Sequence, residues 1–303
     1  MPCAKGSITV VALLMVVGRL SSAFTAHSAF SSCAAAARLR DAAVSARPRA
    51  TSRQTVQCNA WATEVEWKTA SLVSNKKAAD GLYSLTVDAG EISTGYKMPG
   101  QYVQIKTGDE KAGFYAIASA PKTDGMFEFL VKETDTNKWL TQMKSGTLDM
   151  SAVMGNGFPI KEEFTGYKYD FPVQNVILVA TGTGIAPIRA AIESGLLEVD
   201  TSGPFGRSCT LYYGAHSPER MAYQDKLEEW ESKGMTVVPV MSAPAAGAWN
   251  GRTGFVQKAL GEDGVRVPRN TGALLCGQKE MVAEVKDILG GAGVFAGRQL
   301  LNF

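Results

Sequence analysis

The chain is 303 residues long, 45% hydrophobic and 20% charged, with a net charge of +2. That is enough for a sizeable core and about two domains, and the near-neutral balance offers no basic footprint for nucleic acid. Cys3 and Cys33 lie near the N-terminus, leaving Cys58, Cys209 and Cys276, and the histidines are His27 and His216. With no CxxC and no Cys/His cluster, a disulfide framework, a zinc centre and an iron-sulfur centre are excluded as expectations, and no metal site is expected.

The apolar stretch at residues 8–18 is too short to span a bilayer and is followed by small residues, the layout of a secretory signal over 1–23. Residues 24–59 are rich in Ala, Ser and Arg, the composition of a transit peptide. The first 59 residues carry seven Lys or Arg against Asp41 alone, a net +6, so the remainder carries −4 of the overall +2. A signal followed by a transit peptide resembles the bipartite address of plastid proteins in algae with secondary plastids; plain secretion is the alternative. No membrane span is expected in the mature chain.

Short apolar or alternating runs follow at 82–87, 101–107, 114–119, 126–132 and 148–154, punctuated by Pro, Gly and Asp turns. They read as a small antiparallel barrel over 60–165, capped by a helix at 137–143. Residues 164–172 read as a linker. Beyond it, apolar strands at 176–180, 209–213, 236–241 and 272–276 alternate with helical stretches at 186–198, 218–232 and 279–289. That repetition predicts a Rossmann-like α/β parallel sheet over 172–303.

The stretch VILVATGTGIAPIR at 176–189 carries the most functional information. Its apolar strand suits a sheet buried on both faces. Gly182 and Gly184 permit a tight turn and close ligand approach. Ile188, Ala191, Ile192 and Leu196 then form a helical stripe, so the first-turn N–H groups face back at the loop, where an anionic phosphate is favoured. Pro187 suits an early helical position. A glycine turn that binds nothing is the alternative reading.

Together with PGQYV at 99–103, FYAIAS at 114–119, MAYQ at 221–224, CGQKEM at 276–281 and the terminal Asn302 and Phe303, this turn resembles the ferredoxin-NADP reductase superfamily, in its plant and algal plastid branch of FAD/NAD(P)-binding oxidoreductases. The resemblance covers roughly residues 62–303. It implies a β-barrel that binds FAD rather than FMN, followed by a sheet that binds NADPH or NADH. Hydride would pass from nicotinamide C4 to flavin N5, and electrons onward to an unidentified acceptor, small molecule or protein. The resemblance implies that Tyr115 stacks on the isoalloxazine, that Ala116, Ile117 and Ser119 line its site, and that Lys132 and Asn137 reach the flavin phosphate or adenine. By the same resemblance Thr181, Gly182, Thr183, Gly184 and Pro187 hold the nicotinamide nucleotide. Gly214, Ser242, Gly277 and Met281 complete its site, Cys276 lines the transfer point, and Phe303 covers the flavin face. Tyr115 has an alternative as a barrel-core tyrosine and Cys276 as a small buried hydrophobe.

The chain departs from the family at Gly113, where an arginine usually grips the pyrophosphate, at Ala116, where a hydroxyl usually sits near N5, and at Leu301, where photosynthetic members place a glutamate. These departures and the acidic body argue against ferredoxin reduction. At the step that grips a 2′-phosphate in relatives stand Ser242 and Ala243, with Arg220 or Arg252 as possible substitutes and His216 nearby. A flavin-less binding or regulatory module of the same fold is the competing expectation. An electron-transfer subunit that needs a partner chain is a third.

Overall fold

The computed structural model describes residues 65–302 except 123, 167, 204 and 205. The signal and transit segments and Phe303 lie outside the described residues. The N-terminal half is a six-stranded antiparallel sheet. Its elements are β1 (Trp67–Ala79), β2 (Leu82–Asp88), β3 (Tyr102–Lys106), β4 (Gly113–Ala116), β5 (Met126–Lys132), α1 (Lys138–Gln142) and β6 (Gly146–Ser151). The spatial order is β4-β3-β6-β1-β2-β5, and a bridge between Ile117 and Phe129 joins the two outer strands into a barrel. Alternation fills it: Val103, Ile105, Ile117, Phe127, Phe129, Leu148 and Met150 point inward and are buried.

After α2 (Ile160–Phe164) the chain builds β7 (Asn175–Thr181), α3 (Ile185–Glu193), β8 (Ser208–Ala215), α4 (Gln224–Ser232), β9 (Met235–Met241), β10 (Arg252–Thr253), α5 (Val256–Asp263), β11 (Thr271–Cys276), α6 (Lys279–Ala292) and β12 (Gln299–Leu301). These strands pair in parallel in the order β10-β9-β8-β7-β11-β12. Leu178, Val179, Leu211, Tyr213 and Leu274 are all fully buried, as a sheet covered on both faces requires. One face packs on α5 and α6. The core on the other face, around Ile185, Ile188, Tyr213 and Trp230, continues into the barrel residues Leu82, Ala118, Leu130 and Phe158.

Barrel followed by parallel sheet is the architecture the sequence predicts, with local differences. β1, the longest strand, was not among the expected elements: its Ser, Lys and Ala residues bury only Ala70 and Leu72. The helix expected over 186–198 stops at Glu193 because Gly195 takes φ +75° and turns Leu197 back into the core. The helix expected over 218–232 is broken at Tyr223, whose φ is +59°, so α4 begins only at Gln224.

The expected linker is pinned rather than loose. Arg298, fully buried, donates to the carbonyls of Arg269 (2.9 Å), Phe171 (2.5 Å) and Glu163 (3.3 Å), and its guanidinium lies 4.2 Å from the Tyr169 ring centroid and 5.0 Å from that of Phe171. One side chain thus holds the inter-sheet connection to the segment that leads into β12.

Candidate functional site

The parallel sheet reverses its winding at β7, which has β8 on one side and β11 on the other. Ligands of open α/β sheets bind at the carboxyl end of such a switch point. There the Thr181–Gly184 loop meets Gly214, Cys276 and Gly277.

Four glycines at this point divide by what surrounds them. A Cβ on Gly184 would overlap the Cys276 carbonyl oxygen and lie 2.9 Å from the Gly277 nitrogen. One on Gly277 would overlap Thr181 Oγ1 and lie 2.6 Å from Met281 Cε, and one on Gly214 would lie 2.9 Å from Val256 Cγ1. These three let the strand ends close on one another, and the Gln278 N–H donates to Thr181 Oγ1 at 3.2 Å across the same seam. Gly182 is different: its φ is +56° and nothing lies within 4 Å of where a Cβ would stand. Its backbone is therefore the part of the loop open to a ligand. Residues Gly182–Gly184 form a single 3₁₀ turn that feeds α3, and Pro187 is buried at the third helical position, where its missing N–H is among those the helix leaves unused.

Cys276 ends β11, buried in the core shared with the barrel. Burial pushes its thiol up to about 12, so it is a neutral small hydrophobe and not a thiolate. Met281 is buried among α5 and α6 residues, part of the wall behind the seam. Ser242 and His216 are exposed at the ends of β9 and β8, joined by the Ala243 N–H donating to the His216 carbonyl at 2.9 Å. Arg252 is engaged by Asp263 at 2.5 Å and donates to the Ala259 carbonyl, while Arg220 is exposed.

On the barrel, Tyr115 is half-buried beside the barrel core and its ring folds back over Gly113, the hydroxyl 2.6 Å from where a Gly113 Cβ would be. The ring takes the space that an arginine side chain would use. Burial raises the Tyr115 phenol above its ordinary value, with Asn137 opposing. Ile117 points into the barrel core and Ala118 into the shared core, so Tyr115, Ala116 and backbone remain to meet a ligand. Ser119 is buried; its Oγ accepts from the Glu128 N–H at 3.1 Å. Lys132 is exposed and forms no ion pair among the described residues. The Asn137 carboxamide accepts from the Thr134 N–H at 2.8 Å and donates to the Lys132 carbonyl at 2.9 Å, with its second N–H on the side of the Tyr115 phenol.

Residues 178–287 match the model of the oxidoreductase NAD-binding domain. Fruit protein pKIWI502 of Actinidia deliciosa is 35% identical over 234 residues, which is 72% of this chain and 70% of that protein. The chain belongs to the ferredoxin-NADP reductase-like oxidoreductases. Ferredoxin-NADP reductase B of Sorangium cellulosum is 25% identical over 63% of this chain and 78% of its own. The ferredoxin NADP+ reductase of Neisseria gonorrhoeae with bound FAD and NADP superposes with a TM-score of 0.64 at 19% identity, covering 78% of this chain and 98% of that one, a likeness of fold.

Against the ferredoxin-NADP reductase-like frame, sequence reasoning missed Asn302 and a cluster around Arg189. Asn302 is 4% exposed, lies beside Gly100 of the PGQYV stretch, and its buried Oδ1 has no partner among the described residues. Such an acceptor calls for a donor. The cluster around Arg189 joins the two sheets, and its one sequence signal is the charge in an otherwise apolar helix.

Proposed function

We propose that the protein is a flavin-dependent NAD(P)H oxidoreductase that takes hydride from a nicotinamide nucleotide and passes electrons to an acceptor still to be identified. The observation that carries this reading is the packing of the Gly182–Gly184 turn against β5, which brings the open Gly182 backbone to the barrel strand beside residues 115–119. Two planar groups, one on each sheet, would meet there. When bound, the flavin supplies the hydride-accepting ring and its release of electrons onward.

The residues present fit both groups. The open backbone at Gly182, at the mouth of the turn that leads into α3, suits a dinucleotide pyrophosphate. The half-buried Tyr115 ring offers a face for a flat heterocycle, and the unpartnered Asn302 Oδ1 can accept from a ring N–H. With Gly113 in place of arginine, the flavin diphosphate is assigned to backbone donors and to Lys132. Cys276, kept neutral, lines the meeting point and excludes water. Phe303 is proposed as the cover over the ring. Exposed Ser242 and His216, with Arg252 already engaged, favour no strict choice between NADPH and NADH. The proposal extends to barrel and nucleotide domains at 60–165 and 172–303, and to a plastid location inferred from the composition of the leader. Among the described residues no helix is long and apolar enough to cross a membrane.

The test is to purify the protein and titrate it anaerobically with each coenzyme. A yellow protein bleached by NADPH or NADH is expected. A colourless protein that takes up no added FAD would refute the reading in favour of a flavin-less module.

A further inference from the structure

The helix that begins at the coenzyme loop carries an arginine aimed at the barrel. Arg189 on α3 is 5% exposed, and its Nη1 donates to Glu128 Oε2 on β5 at 2.5 Å. Its Nε donates to Glu193 Oε1 at 2.8 Å, and Glu193 also takes Lys226 Nζ at 3.0 Å. The guanidinium sits 4.8 Å from the centroid of the Tyr223 ring. Lys226 also reaches Glu229 at 3.7 Å, so every charge in the cluster has an opposite partner.

Two features set this cluster apart from ordinary interface packing. Tyr223 holds a left-handed backbone, φ +59°, that a bulky residue seldom adopts. Its buried ring is the face on which the Arg189 guanidinium rests. Glu128, for its part, is tied into the candidate flavin strand: its N–H donates to Ser119 Oγ at 3.1 Å and its carbonyl accepts from the Ala118 N–H at 2.7 Å. A continuous set of directed bonds therefore runs from residues 118–119 through Glu128 and Arg189 into α3, whose N-terminal end is the Gly182–Gly184 turn.

We propose that Glu128 and Arg189, seated on Tyr223, are positioning residues that set the separation between the coenzyme loop and residues 115–119. The pair touches neither ring; it acts through α3 on one side and β5 on the other. Hydrophobic contact between the sheets is non-directional and tolerates sliding. A short charge-assisted bond from the middle of α3 to β5 does not, and ring-to-ring transfer is sensitive to displacements of about 1 Å, which can cost ~100-fold. The MAYQ stretch then has a structural purpose, since Met221 and Ala222 are buried in the shared core and Tyr223 forms the floor under the guanidinium.

This inference rests on the oxidoreductase reading, and the experiment separates the two. Glu128→Gln keeps the shape and removes the charge; Val285→Ala, buried between α6 and the far face of the sheet, destabilises without touching the cluster. Both variants and the parent are compared by stopped-flow flavin reduction at saturating coenzyme, by coenzyme affinity, and by amide hydrogen exchange of residues 117–132 and 182–193 without ligands. Glu128→Gln should slow flavin reduction ~10–100-fold, with coenzyme affinity within threefold of the parent and faster exchange in both segments; Val285→Ala should do neither. The proposal is overturned if the Glu128→Gln rate stays within twofold of the parent, if Val285→Ala slows it equally, or if exchange in the two segments is unchanged. A parent protein that binds no flavin sinks the oxidoreductase reading, and the exchange comparison then decides by itself whether the pair holds the two sheets in register.

Discussion

A single chemical change, glycine to alanine, should have opposite signs at two places. At Gly184 the new methyl group would overlap the Cys276 carbonyl and stand 2.6 Å from the carbonyl carbon and 2.9 Å from the Gly277 nitrogen. Carbon contacts are comfortable at about 3.5–4 Å, and every atom met here is backbone, so the Gly182–Gly184 turn and the end of β11 must move apart. Overpacking of this kind costs about 1–3 kcal/mol, and Tm falls by about 2–4 °C per kcal/mol for a protein of this size. The displaced atoms form the coenzyme cradle, so affinity for NADPH and NADH should drop as well, about tenfold for each 1.4 kcal/mol. Gly290, exposed near the end of α6, has nothing within 4 Å of its Cβ position. Alanine there should stabilise by about 0.5–1 kcal/mol, because glycine in a helix gives up more backbone freedom. Urea unfolding followed by circular dichroism and calorimetric coenzyme titration read both effects. Parental stability and affinity in Gly184→Ala would show that the seam between strand ends is not as tight as described, and a loss of stability in Gly290→Ala would refute the backbone-freedom argument for α6.

Arg298→Leu should cost about 3 kcal/mol, since three part-buried carbonyls lose a charged donor at about 1–3 kcal/mol each, and Arg298→Lys should recover only part because an ammonium lacks the planar fork; equal thermal midpoints for the three proteins would refute the clamp. Burial pushes the Cys209 and Cys276 thiols up to about 12 from an ordinary 9.0. Their contribution is therefore intact below pH 9 and lost as pH rises toward 12, the unfolded chain giving up its protons first. The gap in unfolding free energy between the parent and Cys276→Ala should shrink by about 1 kcal/mol from pH 9 to pH 10, and a constant gap would mean the thiol titrates normally in the fold.

The parallel sheet was legible because its strands are nearly continuous apolar runs, and the seam was legible because turns with close backbone approach demand glycine. β1 was not legible, since a strand that buries two side chains in thirteen residues leaves little periodic signal. α5 was missed for a related reason: Gly261 interrupts a stripe of Val256, Ala259 and Leu260 that is otherwise helical. In the site, the type and spacing of residues located the two loops but not how each side chain is spent. Asn137, expected to reach the flavin phosphate or adenine, also braces its own turn. Arg189 carried no expectation, because its partner Glu128 lies 61 residues away on another sheet. Long-range pairing of this kind has no local signature.

The division among the seam glycines bears on how tolerance to substitution is interpreted. Gly184, Gly214 and Gly277 are fixed by neighbouring protein atoms, while Gly182 is required only by its backbone angle and by whatever approaches it. A mutational scan scored for soluble expression should therefore penalise the first three hardest, while Gly182 variants lose only the ~1–2 kcal/mol of a left-handed backbone. In this loop, the strongest intolerance reports on assembly of the chain, and recognition has to be sought where the fold asks least of the side chain.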